Sequence, residues 1–300
     1  MSELKGWIVF NGHLKTPKFL EYVDWFVESC EKQRVSIKKM TNDELLVMTG
    51  EKGLIVSEDQ RTHSKPDFIH FADKDLHLAR QLEKQGVRLF NRSSSIHICD
   101  NKSIMHGILN DRHLPMPKTI IAPMIYPGMP LKVKNYLKIV EAKLGLPLIV
   151  KEAYGSFGEQ VYWVETRTEL EEVAHRLTGI DHLYQQPIFS SLGTDLRLNV
   201  IGDSVVAAMK RNSQSDFRAN VTAGGTTHPY HPTKTECQLA IAAAKAVGAD
   251  FAGVDLLIGE DGPLICEVNS NPHLRSIYDC TGINVADHMV DYIKHTVTTH

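Results

Sequence analysis

The chain has 300 residues, which is room for two or three lobes and more than one hydrophobic core. Hydrophobic residues make up 42% and charged residues 23%, as in an ordinary water-exposed globular protein, and the formal net charge of -3 gives no reason to invoke nucleic acid or an anionic membrane surface. No apolar run approaches the ~20 residues that span a bilayer, and the start, MSELKGWIVFNG, has neither the charged n-region nor the long apolar h-region of a secretory signal.

Residues 1–93 read as a first α/β lobe. GWIVF is a short apolar strand. Thr16-Pro17 opens a helix with Pro at its first position and Phe19, Val23, Phe26, Val27 and Cys30 on one stripe. VSIKKM, GLIVS and PDFIHF are candidate strands, Asp73 is the expected cap of a helix that ends at Gly86, and VRLFN is a further strand. Strands alternating with helices imply a mainly parallel sheet. No G-x-G-x-x-G follows the first strand, so a dinucleotide fold is not indicated.

A central lobe spans residues 94–183. Ser94 to Leu114 reads as one helix with Asn101-Lys102 in its first half, and a Pro-bounded strand follows in LPMPKTIIAP. A helix from about Lys132 to Leu144 stops at Gly145. LPLIVKEAYGSFGEQVYWVE then reads as strand, glycine loop, strand, and Thr168 with Glu171 forms a capping box for TELEEVAHRL. Lys151 ends an apolar strand immediately before Gly155-Ser156-Phe157-Gly158. Such a loop lets backbone N–H groups approach a polyphosphate while the lysine supplies a point charge. It is not a Walker A loop, and a common β-turn is the plainer reading.

The last lobe spans residues 184–300. LRLNVIGDSVVAAMKR is a hairpin turning at Gly202-Asp203, which returns Arg211 near Arg197; two arginines at a cleft rim suggest a shared anion. Arg218 and Asn220 follow in DFRAN. HPYH (His228, His231) reads as a loop, because its prolines break any helix that would align the imidazoles on a metal. FAGVDLLIGEDGPLICEVNSN is a second hairpin. A three-residue loop at Glu260, Asp261 and Gly262 pairs Gly259 with Pro263, so that Asp255 faces Glu267 and Asn269 shares their side. Val254, Leu256, Ile258, Leu264, Cys266 and Val268 form the core face. Facing carboxylates repel, and a cation held by oxygen donors, Mg²⁺ with Mn²⁺ as the alternative ion, resolves the conflict. A simple exposed acidic strand face is the other reading. The five cysteines are scattered without a C-x-x-C, which argues for a reducing cytoplasmic setting and against zinc or a disulfide framework.

The order Asp255, Glu267, Asn269, with DLRLNVIGDSVVAAMKR, DFRANVTAGG, AGVDLLI, EVNSNP and TGINVADHMVDYI, resembles the ATP-grasp superfamily and within it the RimK-like carboxylate–amine (glutamate) ligase branch. The resemblance covers about the C-terminal two-thirds and is weak before Ser94. It implies an α/β chain of α+β lobes: an N-terminal pre-ATP-grasp domain followed by the two halves of the grasp. It makes Lys102 and Lys151 the nucleotide lysines and folds Gly155–Gly158, with Ser156 and Phe157, over the β- and γ-phosphates. Gln185, Gln186, Pro187 and Ile188 become the adenine hinge, and Asp195 the ribose acceptor. Arg211 and Asn220 join the nucleotide set, Arg197, Lys151 and Arg211 the catalytic set, and Asp255, Glu267 and Asn269 the metal set. Arg218, Asn271 and Arg275 stand where a substrate passes, and Arg275 suggests an acidic one.

The implied reaction joins a carboxylate on a protein or small molecule to an amine, with glutamate the favoured amino acid, through an acyl phosphate and with ADP released. Ligation onto an amino-group carrier protein, synthesis of a small peptide, and a catalytically silent ATP-binding regulator are the alternatives. Homo-oligomer formation is left open.

Overall fold

The structure, a computed structural model, describes residues 4–49, 54–56, 65–129, 136–155, 158–213, 216–219 and 225–298. The N-terminal lobe contains β1 (Lys5–Phe10), α1 (Pro17–Lys32), β2 (Ser36–Thr41), β3 (Leu45–Val47), β4 (Leu54–Val56), β5 (Phe68–Phe71), α2 (Leu76–Lys84) and β6 (Arg88–Phe90). Its main sheet runs β2-β1-β5-β6 with every pairing parallel, as the alternating pattern predicts; β3 and β4 form a separate antiparallel pair. The cap of α2 is Asp75, whose side chain accepts from the Leu78 N–H at 3.0 Å. Asp73 instead accepts from the Lys74 N–H at 2.7 Å and from Asn11 at 3.4 Å, and lines the cleft.

The second lobe follows α3 (Ser93–Asp100) and α4 (Lys102–Asp111) and contains β7 (Thr119–Ile121), α5 (Tyr136–Leu144), β8 (Leu148–Glu152), β9 (Val161–Val164), α6 (Arg167–Arg176) and β10 (His182–Gln185). The single helix expected over 94–114 is two, because Asn101 leaves the helical region (φ -109°, ψ 106°) and caps α4 by accepting from Ile104 N–H. The capping box of α6 uses Thr166 and Glu169, two residues earlier than Thr168 and Glu171; Glu169 also accepts from the Glu165 N–H. The start of the helix expected from Lys132 lies outside the described residues. The sheet order is β7-β10-β8-β9. Tyr184 therefore sits inside a strand of this sheet, and the chain crosses to the next sheet only after Gln185.

The third sheet is built from β11 (Thr194–Ile201), β12 (Ser204–Asn212), β13 (Thr226–Pro229), β14 (Phe251–Gly259) and β15 (Gly262–Asn269), with α7 (Lys234–Ala246) on one face; α8 (Arg275–Thr281) and α9 (Val285–Thr298) end the chain. Its order is β13-β12-β11-β14-β15, all antiparallel. The Gly202-Asp203 turn forms as read, with Gly202 at φ +56°. Part of the expected HPYH loop is the edge strand β13, whose His228 pairs with Lys210.

Four cores set the lobes among the described residues, one of them inside the first lobe around Val9, Ile69, Leu78 and Leu89. Leu196, Leu198, Val200, Val254, Leu256, Ile265 and Val268 pack on Leu239, Ala240, Ala243 and Ala244 of α7. The second lobe has its own core around Leu137, Val140, Leu148, Leu170 and Tyr184. A fourth core joins Tyr22, Val23, Phe26 and Phe68 of the first lobe to Met209, Phe251, Leu274, Ile277 and Met289 of the last. Fully burying side chains of this size contributes about 1.5–3 kcal/mol each, so the first and last lobes form one body, and α1 is held against the segment that follows β15.

Candidate active site

The third sheet brings charge into line by register. Across β11, β14 and β15, Arg197 pairs with Asp255 and Asp255 pairs with Glu267; two residues along β11, Asp195 pairs with Arg211 of β12. Period-two alternation puts all five on one face.

The Asp255–Glu267 pairing arises differently from the expected turn. Gly259 pairs with Gly262 across a two-residue turn, which alone would shift Glu267 out of line. A β-bulge at Cys266 absorbs the missing residue: Leu256 pairs with Ile265, and Asp255 with Glu267. The bulge also exchanges two faces. Ile265, not Leu264 or Cys266, enters the core, and Cys266 lines the cleft, 3.7 Å from the Lys151 ammonium.

The arginines do share an anion, and it belongs to the protein. Arg197 grips Asp255 through Nε and Nη2, the latter donating to Oδ2 at 2.8 Å. Arg211 reaches the same carboxylate through Nη2 at 2.9 Å and holds Asp195 through Nε and Nη2, both at 2.6 Å. Two cations and two carboxylates thus form a neutral, buried cluster. Burial works to raise Asp255, but the two guanidinium groups outweigh it and hold its carboxyl below the ordinary range. Burial, and then the neighbouring Asp255 charge, raise Asp195 against the pull of Arg211. With both oxygens accepting from Arg211, Asp195 anchors that arginine, and it also lines the cleft.

Lys102 reaches this face because of the helix break. Its N–H donates to Ala153 O at 2.9 Å, docking the start of α4 on the end of β8. Its ammonium donates to Gly155 O at 3.2 Å and lies 3.8 Å from Glu267 Oε1. Both carboxylates therefore have cationic neighbours, and their facing position does not by itself demand a metal. The donor chemistry nevertheless fits Mg²⁺: Asp255, Glu267 and Asn269 present oxygens on one face, and Asn269 donates its amide N–H to Gly253 O at 3.3 Å, which leaves the amide oxygen as its acceptor. Among the described residues no cluster of three or more His, Cys, Asp or Glu suits a metal, so this set depends on the asparagine.

All of this lines one cleft of about 1010 Å³. Lys102, Lys151, Gly155, Gly158, Gln185, Gln186, Ile188, Asp195, Arg197, Arg211 and Arg218 face it, as do Asp255, Glu267, Asn269, Asn271 and Arg275. Pro187 is buried behind Gln186 and does not line it. Gln185 donates to the Thr119 hydroxyl at 3.0 Å, and Gln186 N–H to Lys118 O at 2.9 Å, so both are held at the start of β7 and the residue before it. Arg218 chelates Asp216 and donates to Gly158 O, tying the 216–219 turn to the end of the glycine loop. Ser156, Phe157, Asn220 and Gly224 lie outside the described residues. Sequence reasoning missed Asn11, Lys18, Phe19, Tyr22 and Asp73 of the first lobe, which form the opposite wall. The Thr16-Pro17 helix start marked where Lys18 stands on α1, but no local pattern says which lobe that helix will face.

A cleft between two antiparallel α+β lobes and a parallel α/β lobe, lined by two buried lysines and backed by arginines and carboxylates on one sheet face, belongs to an ATP-dependent ligase of the ATP-grasp fold. The chain belongs to the RimK-like ATP-grasp domain family, whose pattern matches residues 99–293, and is a carboxylate–amine ligase. It is 37% identical, over 73% of this chain and 71% of the relative, to "Probable alpha-L-glutamate ligase 2" of Shewanella amazonensis. Among solved structures it is similar to the D-alanine–D-alanine ligase from Bacillus anthracis complexed with ATP, with TM-score 0.71 and 18% identity over 99% of this chain and 98% of that one. It is also similar to the ATP-grasp ligase PsnB complexed with a phosphomimetic variant of its minimal precursor, Mg and ADP, with TM-score 0.70 and 17% identity over 98% of each chain. At such identities the two structures establish the fold.

Proposed function

We propose that the protein joins glutamate, through its amine, to a carboxylate on a protein or small molecule by way of an acyl phosphate. The observation that carries this is the in-register row Arg197, Asp255, Glu267, flanked by Arg211 and faced by Lys102 and Lys151. Glutamate is supported by the name of the 37%-identical relative. Lys102, Lys151 and the N–H groups of the Gly155–Gly158 loop take the polyphosphate, and Gln185, Gln186 and Ile188 take the base. An acceptor carboxylate oxygen attacks the γ-phosphorus, the bond to the ADP oxygen breaks, and an acyl phosphate forms. The glutamate amine then attacks the carbonyl carbon, a proton leaves the nitrogen, and phosphate departs with one former carboxylate oxygen.

Arg211, held by Asp195, stabilises the oxyanion of the tetrahedral stage, a task worth roughly 10²–10³ in rate. Asp255, Glu267 and Asn269 would hold Mg²⁺, which supplies positive charge against the β- and γ-phosphate oxygens. Arg197 and Arg211 keep Asp255 ionised and oriented for that role.

Candidate acceptors incubated with ATP, Mg²⁺ and glutamate test the reading by intact mass. Each acceptor molecule should gain one glutamyl residue per ADP released in a round. ATP binding with no ADP on any acceptor would make the chain a silent regulator, and a different amine in the adduct would remove glutamate.

A further inference from the structure

Arg275, expected where an acidic substrate passes, lines the cleft and is ion-paired there. It pairs with Glu21 of α1 and with Asp279 of α8 at 3.5 Å, and its guanidinium lies 4.6 Å from the centre of the Trp25 ring. It is a buckle between the first and last lobes, and its charge is offset by two acids. The buckle brings other groups to the cleft mouth. Lys18 stands one turn before Glu21 and Tyr22 on the same face of α1 and lines both the large cleft and a small cavity beside the buckle. The Phe19 ring meets the His273 ring edge-on at 5.5 Å. Beneath them Gly253 makes room: a Cβ there would lie 2.8 Å from Pro272 and 3.2 Å from Arg197 Nη1. The absent side chain lets Arg197 and the 271–273 segment close on one point.

We propose that Lys18 and His273, with Arg197 beneath them, form a subsite for the carboxylate of the incoming amino acid that takes no part in bond formation. The inference rests on the ligase reading of the same cleft and names how it selects its amine substrate. The amine must reach the carbonyl beside Arg211 and Glu267, so the rest of the amino acid extends toward the first lobe, where these donors stand. An ammonium, an imidazole N–H and a guanidinium edge match a carboxylate in charge and in donor chemistry. The local field agrees. Burial first, then the charges of Lys18 and Arg197, hold His273 at about 4, so the ring is neutral near pH 7, and the positive potential that repels a proton there attracts an anion. Glu21 and Asp279 pair with Arg275, and Asp255 with Arg197 and Arg211.

The test uses the full chain with Mg-ADP and two probes, glutamate and glutarate, the latter a dicarboxylate without an amine. Calorimetry should show both binding to the wild type, and Lys18→Met weakening both by ~10-fold, the scale of one charge-assisted hydrogen bond. His273→Leu should weaken both; His273→Asn, which keeps an N–H donor, should recover part. In turnover, Lys18→Met should raise KM for glutamate while kcat and KM for ATP stay within about twofold, the pattern of lost uniform binding. Unchanged affinity in Lys18→Met, no binding of either probe to the wild type, or a raised KM for the acceptor instead of glutamate would each overturn the subsite. A wild type that binds glutarate through Lys18 but does not ligate glutamate would keep the subsite and remove the proposed reaction.

Discussion

Replacing Arg211 by Met separates its structural work from its chemistry. Arg211 is 6% exposed and anchors two carboxylates, Asp195 by two bonds of 2.6 Å and Asp255 by one of 2.9 Å. Methionine fills much of the volume and removes the charge. Asp255 keeps Arg197, but Asp195, 8% exposed, is left as an orphan. Removing one partner of a buried pair costs about 3–5 kcal/mol, and we expect that loss at pH 7. The pH dependence follows from Asp195. Its folded pKa already lies above the ordinary carboxylate value and rises further without Arg211, so the folded state binds the extra proton. The variant's deficit should therefore shrink as pH falls through that folded pKa toward about 4. Adding Asp195→Asn removes the orphan charge, so the double variant should come back to within ~1 kcal/mol of wild type. Ligation should stay down by roughly 10²–10³, because the oxyanion donor is still missing. Urea midpoints and initial rates of ADP release measure the two separately. A single variant as stable as wild type, or a double variant no better than the single, would refute the anchoring argument.

Glu267→Gln should leave the fold intact, since its ionic contact with Lys102 is a loose 3.8 Å, yet cut turnover by ~10² or more in an ADP assay. Lys151→Met should slow ADP formation by a similar ~10² while glutarate binding persists, because that lysine, beside Cys266, is among those proposed to take the phosphates. Gly253→Ala should keep the circular dichroism spectrum and lower ligation by ~10², since its Cβ would displace Pro272 and Arg197 and misplace the reacting groups. His70 is neutral and buried, with Nδ1 donating to Phe90 O at 3.0 Å and Nε2 accepting from Tyr22 at 2.9 Å, and burial lowers it to about 4. Between pH ~6.5 and ~4 the unfolded chain binds a proton that the folded one refuses, so stability should fall by up to ~3 kcal/mol on acidification, and His70→Asn should flatten that slope in pH-dependent urea melts.

The sequence carried the chemistry further than the geometry. Strand alternation and the second hairpin placed Asp255, Glu267 and Asn269 on one face, because side-chain period in a strand is set locally, whereas Arg197 joins them only through the β11–β14 pairing. The bulge at Cys266 had no local signature: a GEDG turn is compatible with two-residue and three-residue loops, and only packing of Ile265 on α7 chooses. The break at Asn101 was legible in retrospect, since asparagine is a strong helix cap. The shared anion of Arg197 and Arg211 was inferred, but its identity as Asp255 depended on strand order. Which wall faces the cleft could not be read at all, because the core that joins α1 to α8 and α9 is formed by residues more than 200 positions apart.

Isotope transfer tests the central claim most directly. The acceptor carboxylate is labelled with ¹⁸O and incubated with ATP, Mg²⁺ and glutamate, and the released phosphate is analysed by mass. An acyl-phosphate route sends one labelled oxygen into inorganic phosphate for each amide formed, with ADP as the nucleotide product. Unlabelled phosphate, or AMP with pyrophosphate, would contradict it.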